Sequence, residues 1–421
     1  MKKEGLLAIL LNLHILIKIM KEIFMIITPK IYTFICTTAH PIGCEKNVEE
    51  QINYIKSHGQ FTGPKNVLII GASTGYGLAS RIALTFGAGA KTVGIIFEKE
   101  ADSKRTASAG WYNTAAFEKL ASQQNYYAKS INGDAFSLET KQQTVQLIKD
   151  ELGSVDLIIY SLASPRRKHP YTGQLFSSVL KPIRQTYSSK TFDPFRGEVK
   201  EIVVEPASDE EIQNTVAVMG GDDWEMWIDL LQNENLLSEG ITTLAYSYLG
   251  PPLTYSIYKE GTIGKAKEHL QMTASKLNEK LKKFNGQALI SVNKALVTQA
   301  SSAIPVVPLY MSLLFKIMKE KGTHEGCIEQ MNRLFKDNLY ANKPLTLDGE
   351  GRLRLDDLEM QDDVQQKIVE LWPLINSSTL FELTDIEGYK DDFYRLFGFN
   401  MQGVDYKAEV NPFVMIDSIN T

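Results

Sequence analysis

Asn66-Val67-Leu68-Ile69-Ile70 is a short apolar run that enters a cluster of glycines. That is the pattern of a parallel strand buried on both faces. Leu78, Ala79, Ile82, Ala83 and Phe86 then recur at helical spacing. Residues 92–97 form a second apolar run, and a polar stretch leads into a helix expected near 114–123. Residues 127–131 and 155–161 read as a third and a fourth strand, with a helix over 138–152 between them. Strands that alternate with helices predict a parallel sheet covered on both faces by crossover helices. The rhythm breaks after Ala163. The stretch 165–206 is polar, carries Pro170, Pro182 and Pro194, and is expected to be irregular. Ser208-Asp209-Glu210-Glu211 is a capping box that starts a short helix, and a second helix is expected around 224–231. This insertion, about 164–235, is expected to lie like a lid over the mouth of the sheet. Strands resume at 241–248 and 288–297, on either side of a long helix over 262–284. Residues 303–321 are apolar and helical despite Pro305 and Pro308, and the rest reads as helix and loop. The fold class is α/β, a Rossmann-type doubly wound parallel sheet. No internal repeat or low-complexity tract interrupts it.

The first 24 residues do not match this pattern. Lys2 and Lys3 precede the run Gly5-Leu6-Leu7-Ala8-Ile9-Leu10-Leu11, as in a signal peptide, but Lys21-Glu22-Ile23-Phe24-Met25 lacks a small-residue cleavage site. Residues 1–24 are therefore expected to be an extension outside the fold, with Met25 as the effective start. A targeting or membrane-touching helix is the alternative. Residues 25–421 are expected to be one enlarged domain.

Composition narrows the function. Lys and Arg number 45 against 50 Asp and Glu, a net charge of −5, which argues against a nucleic-acid binder. No run reaches the length of a membrane span, so stable membrane insertion is not expected. Three cysteines, Cys36, Cys44 and Cys327, cannot build a disulfide framework and suit a reducing, cytoplasmic setting. His40, His58, His169, His269 and His324 show no metal-ligand spacing, and there is neither a nucleophile elbow nor a Walker lysine.

Gly71-Ala72-Ser73-Thr74-Gly75-Tyr76-Gly77 sits between the first strand and its helix. Glycines let a backbone turn sharply and approach a pyrophosphate, while the helix start offers free N–H groups and a positive dipole end. Such a loop alone is weak evidence, but this one opens a strand–helix series. A dinucleotide is expected here rather than a merely structural turn. Phe97 and Glu98 close the second strand. An acidic residue there accepts hydrogen bonds from the adenosine ribose and repels a 2′-phosphate, which favours NADH. A solvated strand-end glutamate is the bland alternative. Asp134-Ala135 and Leu162-Ala163, after the third and fourth strands, are placed to meet the adenine and nicotinamide sides, because ligands lie at the carboxyl ends of such strands. Arg166-Arg167-Lys168-His169 is either a phosphate contact for a carrier or a solvated loop.

Tyr258 and Lys267 stand with eight residues between them. On one straight helix they would point about half a turn apart. Tyr258 is therefore expected before the helix, with Gly261 breaking the chain, Thr262 capping the helix and Lys267 turned inward. The pair could equally be a packed tyrosine and a surface lysine.

Several longer motifs carry a resemblance. They include Phe34-Ile35-Cys36-Thr37-Thr38-Ala39-His40-Pro41, the glycine loop with Tyr76, Ser130-Ile131-Asn132-Gly133-Asp134-Ala135-Phe136 and Tyr160-Ser161-Leu162-Ala163-Ser164-Pro165-Arg166-Arg167. Ala217-Val218-Met219-Gly220-Gly221, the Tyr258–Lys267 spacing, Val297-Thr298-Gln299-Ala300-Ser301-Ser302-Ala303-Ile304-Pro305 and Lys321-Gly322-Thr323-His324-Glu325-Gly326-Cys327 follow in order. From Met25 onward the chain resembles the trans-2-enoyl-CoA reductases and the related V-type enoyl-acyl-carrier-protein reductases. The resemblance implies an enlarged short-chain-reductase fold, a monomer, and NADH as cofactor. It implies an enoyl-CoA or enoyl-acyl-carrier-protein substrate within fatty acid metabolism. It makes Tyr258 the proton donor, gives Lys267 the nicotinamide ribose, sets Tyr248 against the substrate thioester and brings Leu296-Val297-Thr298 to the cofactor. A lysine ammonium near Tyr258 is expected to lower its pKa, and the apolar region 303–315 to line the acyl pocket. A carbonyl (3-ketoacyl) reductase on the same fold, or a non-catalytic NADH-binding regulator, are the alternatives. Reduction of crotonyl-CoA against acetoacetyl-CoA separates the first, and absence of turnover marks the second.

Overall fold

The computed structural model describes residues 24–32, 35–194, 196–301, 304 and 306–419. Apart from Phe24, the expected extension lies outside these residues, as do Phe34, Ser302, Ala303 and Pro305 of the quoted motifs. Met25 pairs antiparallel with Val410, which joins the start of the described chain to its end.

A short antiparallel pair, β1 (Ile31–Tyr32) and β2 (Ile35–Cys36), precedes α1 (Pro41–Ser57). Then come β3 (Asn66–Ile70), α2 (Gly75–Ile82), β4 (Lys91–Ile96), α3 (Ala109–Ser122), β5 (Ala128–Asn132), α4 (Leu138–Glu151) and β6 (Val155–Tyr160). The insertion holds β7 (Arg166–Lys168), β8 (Leu175–Ser177), β9 (Tyr187–Asp193), β10 (Glu198–Val204), α5 (Asp209–Met219) and α6 (Asp222–Asn233). The chain continues through β11 (Leu237–Ser247), α7 (Thr262–Leu281), β12 (Gln287–Val292), α8 (Val307–Lys321), α9 (Cys327–Asn332) and β13 (Arg352–Arg354). It closes with α10 (Asp362–Leu371), α11 (Leu380–Leu383) and α12 (Ile386–Arg395).

The main sheet has seven parallel strands in the order β13-β12-β11-β6-β3-β4-β5. From β3 the chain builds outward through β4 and β5, and then returns to place β6 on the other side. That reversal between β3 and β6 opens a crevice at the strand ends. The alternation of side chains explains the apolar runs: Val67 and Ile69 enter one core, Leu68 and Ile70 the other. Helix covers both faces, so neither set meets water.

Four expectations change. Helix α3 begins at Ala109 rather than near 114, because Gly110 lets the helix start against Glu98. A Cβ there would lie 2.1 Å from Glu98 Oε1. The stretch 165–206 is not irregular: it folds into two antiparallel hairpins, β7–β8 and β9–β10. Apart from buried Arg167 and Phe192 their side chains are half-buried or exposed, so no apolar run marked them. Strand β12 stops at Val292 rather than 297, because the amides of Leu355 and Asp356 cap its last carbonyl. Thr262 does not cap α7; Gly261 holds that position, and the Thr262 hydroxyl donates to Val179 O at 2.6 Å, which ties the helix to the insertion. Strand β13 was invisible beforehand, since only Leu353 of its three residues is apolar and buried.

Candidate active site

The crevice between β3 and β6 is a cavity of about 630 Å³. Its walls include Gly71, Ser73, Thr74, Gly75, Tyr76, Phe97, Glu98, Asp134, Ala135, Leu162, Ala163 and Thr298. Ala72 is fully buried behind them. Leu296 and Val297 instead line a second cavity of about 440 Å³, which meets the first at Thr74 and Gly75. The glycines are sterically required. Gly71 has φ +89° and a Cβ there would lie 2.3 Å from Ser161 O; at Gly77 it would lie 1.8 Å from Gly71 O. A side chain at either would force apart the turn that brings the α2 N-terminus to the crevice.

Glu98 is held rather than solvated. Ser73 Oγ donates to its Oε1 at 2.6 Å and Ser108 Oγ to its Oε2 at 2.5 Å. Burial pushes its carboxyl up, and these two hydroxyls pull it back. Phe97 beside it is 76% exposed, an uncovered ring on the cavity wall. The basic run splits by strand alternation: Arg166 and Lys168 reach the cavity, whereas Arg167 is buried and donates to Ala217 O at 2.6 Å. The first hairpin of the insertion thus forms one wall. The second packs away from it, with Lys190 Nζ donating to the carbonyls of Pro373 and Ile375 at 2.8 Å each.

Tyr248 and Tyr258 meet edge to face, ring centroids 5.0 Å apart. Tyr248 donates its proton to Glu359 Oε1 at 3.0 Å. Tyr310 donates to the same oxygen at 2.6 Å, and the Ala295 amide to Oε2 at 2.8 Å. The Tyr258 hydroxyl has no hydrogen-bond partner among the described residues and is not sealed from solvent. Lys267 Nζ donates to Tyr246 O at 3.3 Å, and burial pushes its ammonium down to about 8. The expected effect of a lysine on Tyr258 is overturned. Burial and the negative charge of Glu359 both raise the Tyr258 phenol above its ordinary value, so it is a protonated phenol at neutral pH.

None of Tyr248, Tyr258 and Lys267 lines the larger cavity. Lys267 is linked to it through Tyr246, whose carbonyl it meets and whose ring packs 5.9 Å from that of Tyr76 in the cavity wall; Tyr248 and Tyr258 pack with both tyrosines against the same core. Tyr76 in turn donates to Lys294 O at 2.7 Å. The expected acyl wall is in place only as core: from Val307 to Phe315 the α8 side chains are buried, and Ala303 lies outside the described residues. Sequence reasoning missed Glu359, Lys294, Tyr310 and Ser108. For Glu359 no local signal existed, because it lies 111 residues from Tyr248. Among the described residues no cluster of His, Cys, Asp and Glu is placed to hold a metal ion.

A crevice of this construction, with a protonated phenol beside it, defines a dinucleotide-dependent oxidoreductase on a Rossmann-type sheet. The chain belongs to the trans-2-enoyl-CoA reductase family. Residues 26–103 match the NAD(P)H binding domain of trans-2-enoyl-CoA reductase, and residues 105–340 match the trans-2-enoyl-CoA reductase catalytic region. The chain is 57% identical over 395 residues to a trans-2-enoyl-CoA reductase [NADH] of Ruminiclostridium cellulolyticum, covering 94% of this chain and 100% of that one. It is 60% identical, with the same coverage, to an enoyl-[acyl-carrier-protein] reductase [NADH] of Flavobacterium johnsoniae. The crystal structure of Clostridium acetobutulicum trans-2-enoyl-CoA reductase in complex with NADH superposes with a TM-score of 0.91 at 45% identity, over 93% of this chain and 100% of that one. The Treponema denticola enzyme in complex with NAD gives 0.90 at 49%, with the same coverage.

Residues 347–410 match a model described as an enoyl reductase FAD binding domain. They do not fit a flavin dinucleotide. The helix start that would face a diphosphate, at α10, carries Asp362 and Asp363, and acidic side chains there repel an anion. Val364, Ile368, Tyr389 and Phe393 of this segment are core.

Proposed function

We propose that the protein reduces the trans-2 double bond of an enoyl thioester with NADH, giving the saturated acyl thioester. The observation that carries this is the pair of phenols with unequal commitments, Tyr248 bonded to Glu359 and Tyr258 without a hydrogen-bond partner among the described residues, near a crevice built for a dinucleotide. Family membership and relatives named for NADH support the cofactor.

The cradle of Gly71 and Gly77, the α2 N-terminus and the carboxylate of Glu98 fit NADH. Bound there, it supplies the hydride that reduces the β-carbon. As negative charge gathers on the thioester oxygen, the Tyr258 hydroxyl donates a hydrogen bond to it and then supplies the proton. Tyr248 and the wall it forms position the thioester. Lys267 holds the nicotinamide ribose, its ammonium restored by the hydroxyls it meets. Leu296, Val297 and Thr298 close on the cofactor from the β12 side. Arg166 and Lys168 favour a carrier bearing phosphates, a feature of both CoA and acyl-carrier protein.

NADH oxidation with crotonyl-CoA, crotonyl-acyl-carrier protein and acetoacetyl-CoA tests this function. Turnover of the crotonyl thioesters is expected and turnover of the ketone is not. Reduction of acetoacetyl-CoA alone would make the protein a carbonyl reductase, and binding of NADH without any turnover would make it a regulator. We also infer a monomer in the cytoplasm, which the three unpaired thiols support. Sedimentation at micromolar concentration checks the monomer.

A further inference from the structure

Glu359 is the most deeply placed acid beside the tyrosine pair. It is 0% exposed and comes from the loop between β13 and α10, far outside the segment matched as the catalytic region. A carboxyl group buried to this degree is costly unless its oxygens are matched. Here both oxygens accept hydrogen bonds, from Tyr248, Tyr310 and the Ala295 amide. Burial raises the Glu359 carboxyl above its ordinary range, and the nearby charge of Lys294, the Tyr310 hydroxyl and the Ala295 amide pull it back; Lys294 is itself buried, donating to Ala295 O at 3.1 Å and lying 4.6 Å from the centre of the Phe315 ring.

The partners of Glu359 are not arbitrary. Tyr248 faces Tyr258, and Ala295 immediately precedes Leu296-Val297-Thr298. One carboxylate therefore fixes both the phenol beside the proposed proton donor and the loop beside the proposed cofactor. A phenol has one proton to donate. While Tyr248 gives its proton to Glu359, it presents only lone pairs to the site and cannot donate to a thioester oxygen. Tyr258, which has no hydrogen-bond partner among the described residues, can.

We propose that Glu359 is a positioning residue of the enoyl reduction: it binds the Tyr248 proton, and so leaves Tyr258 as the donor phenol and holds the Tyr248 ring in the thioester site. This rests on the reductase function proposed above. Glu359 lines neither of the two cavities, and it acts through Tyr248.

A double-mutant cycle tests it on the full chain, with Glu359→Gln, Tyr248→Phe and both together. Crotonyl-CoA kinetics, NADH titration and melting are measured for each. Replacing the carboxyl by an amide leaves one acceptor oxygen for three donors and sets an NH2 against one of them, so Glu359→Gln is expected to raise KM for crotonyl-CoA about tenfold, with a smaller change in kcat and little change in NADH affinity. In the Tyr248→Phe background the same substitution should change kcat/KM by less than about twofold, because the interaction is already gone. Equal losses in both backgrounds, or no loss in either, would overturn the proposal. Tyr310→Phe, which removes the other phenol from the same oxygen, should keep KM near wild type; a rise matching that of Glu359→Gln would show general damage to the cluster. Should Glu359→Gln not fold, Glu359→Gln with Lys294→Met removes both charges and carries the same cycle. Wild-type protein that turns over no enoyl thioester at all would defeat the reductase function itself, a result distinct from an additive cycle in an active enzyme.

Discussion

The dinucleotide crevice and the tyrosine cluster are neighbours built on opposite principles. The crevice draws nearly all its walls from Gly71 to Lys168, at the ends of four consecutive strands, and it is open. Local sequence decides it: a glycine where a Cβ would strike a carbonyl, an acid at a strand end, small residues after the next two strands. The tyrosine cluster gathers Tyr248, Tyr258, Lys267, Lys294, Tyr310 and Glu359 from five separate segments and buries most of their polar ends. Its chemistry depends on which phenol is bonded to what, and that is a property of the packed interior. Binding a cofactor can be encoded in a motif, whereas setting the protonation and hydrogen-bond commitments of a phenol needs the whole core.

If this contrast is right, the largest effect on cofactor binding should come from a small change in the crevice. Gly77→Ala places a methyl group 1.8 Å from Gly71 O and should weaken NADH binding by roughly a hundredfold, since the turn that presents the helix N-terminus is displaced. Titration of NADH fluorescence reads it, and near-normal affinity would mean the loop does not form the cradle.

Lys267 should show an intermediate effect with a pH signature. Burial places its ammonium at about 8 in the free protein, below the ordinary lysine value, whereas a bound ribose favours the charged form. Binding above that pH must therefore take up a proton. NADH affinity should be flat below pH 7 and fall by up to about tenfold per unit above 8. Lys267→Met should bind about tenfold more weakly at neutral pH and lose this dependence. A wild-type affinity that is flat to pH 9.5 would separate Lys267 from the cofactor.

Much of the crevice half was legible beforehand for a physical reason. Strands β3 to β6 alternate with helices at short range, and their apolar runs are long enough to announce burial. The two hairpins of the insertion escaped notice because their strands are mostly polar, with a single buried residue, Arg167 or Phe192, in each of β7 and β9. Of the tyrosine cluster, Tyr258 and Lys267 could be picked out as a pair, but their roles, and Tyr248 altogether, were reached only through family resemblance, since Tyr–Lys spacing alone says little. Their packing could not be read at all. The expectation that a lysine lowers the Tyr258 pKa failed because burial of the ring, and then the charge of Glu359, raise it instead.

A smaller effect is expected at Glu98. Its oxygens are already engaged by Ser73 and Ser108, so Glu98→Gln should keep the fold and raise relative use of NADPH by only a few-fold, as one negative charge facing the 2′-phosphate is removed. Steady-state ratios for the two cofactors measure it, and an unchanged ratio would move the selection to the Asp134 loop. The smallest effect belongs to the N-terminal residues. A chain starting at Met25 should match the full chain in melting and turnover, because Met25 itself pairs with Val410 and relatives align over 395 residues. A drop of several degrees or a large loss of rate would place residues 1–24 within the working protein.

The central claim is that two touching phenols have different tasks because only one of them is bonded to a buried carboxylate. Pre-steady-state reduction of crotonyl-CoA by Tyr258→Phe and Tyr248→Phe, each saturated with NADH, tests it most directly. Removing the free phenol should slow the reductive step on the order of 10²–10³-fold and leave NADH affinity intact, while removing the bonded one should change that step only a few-fold and act mainly on substrate KM. A Tyr248→Phe enzyme that is nearly inactive beside a Tyr258→Phe enzyme close to wild type would contradict the account.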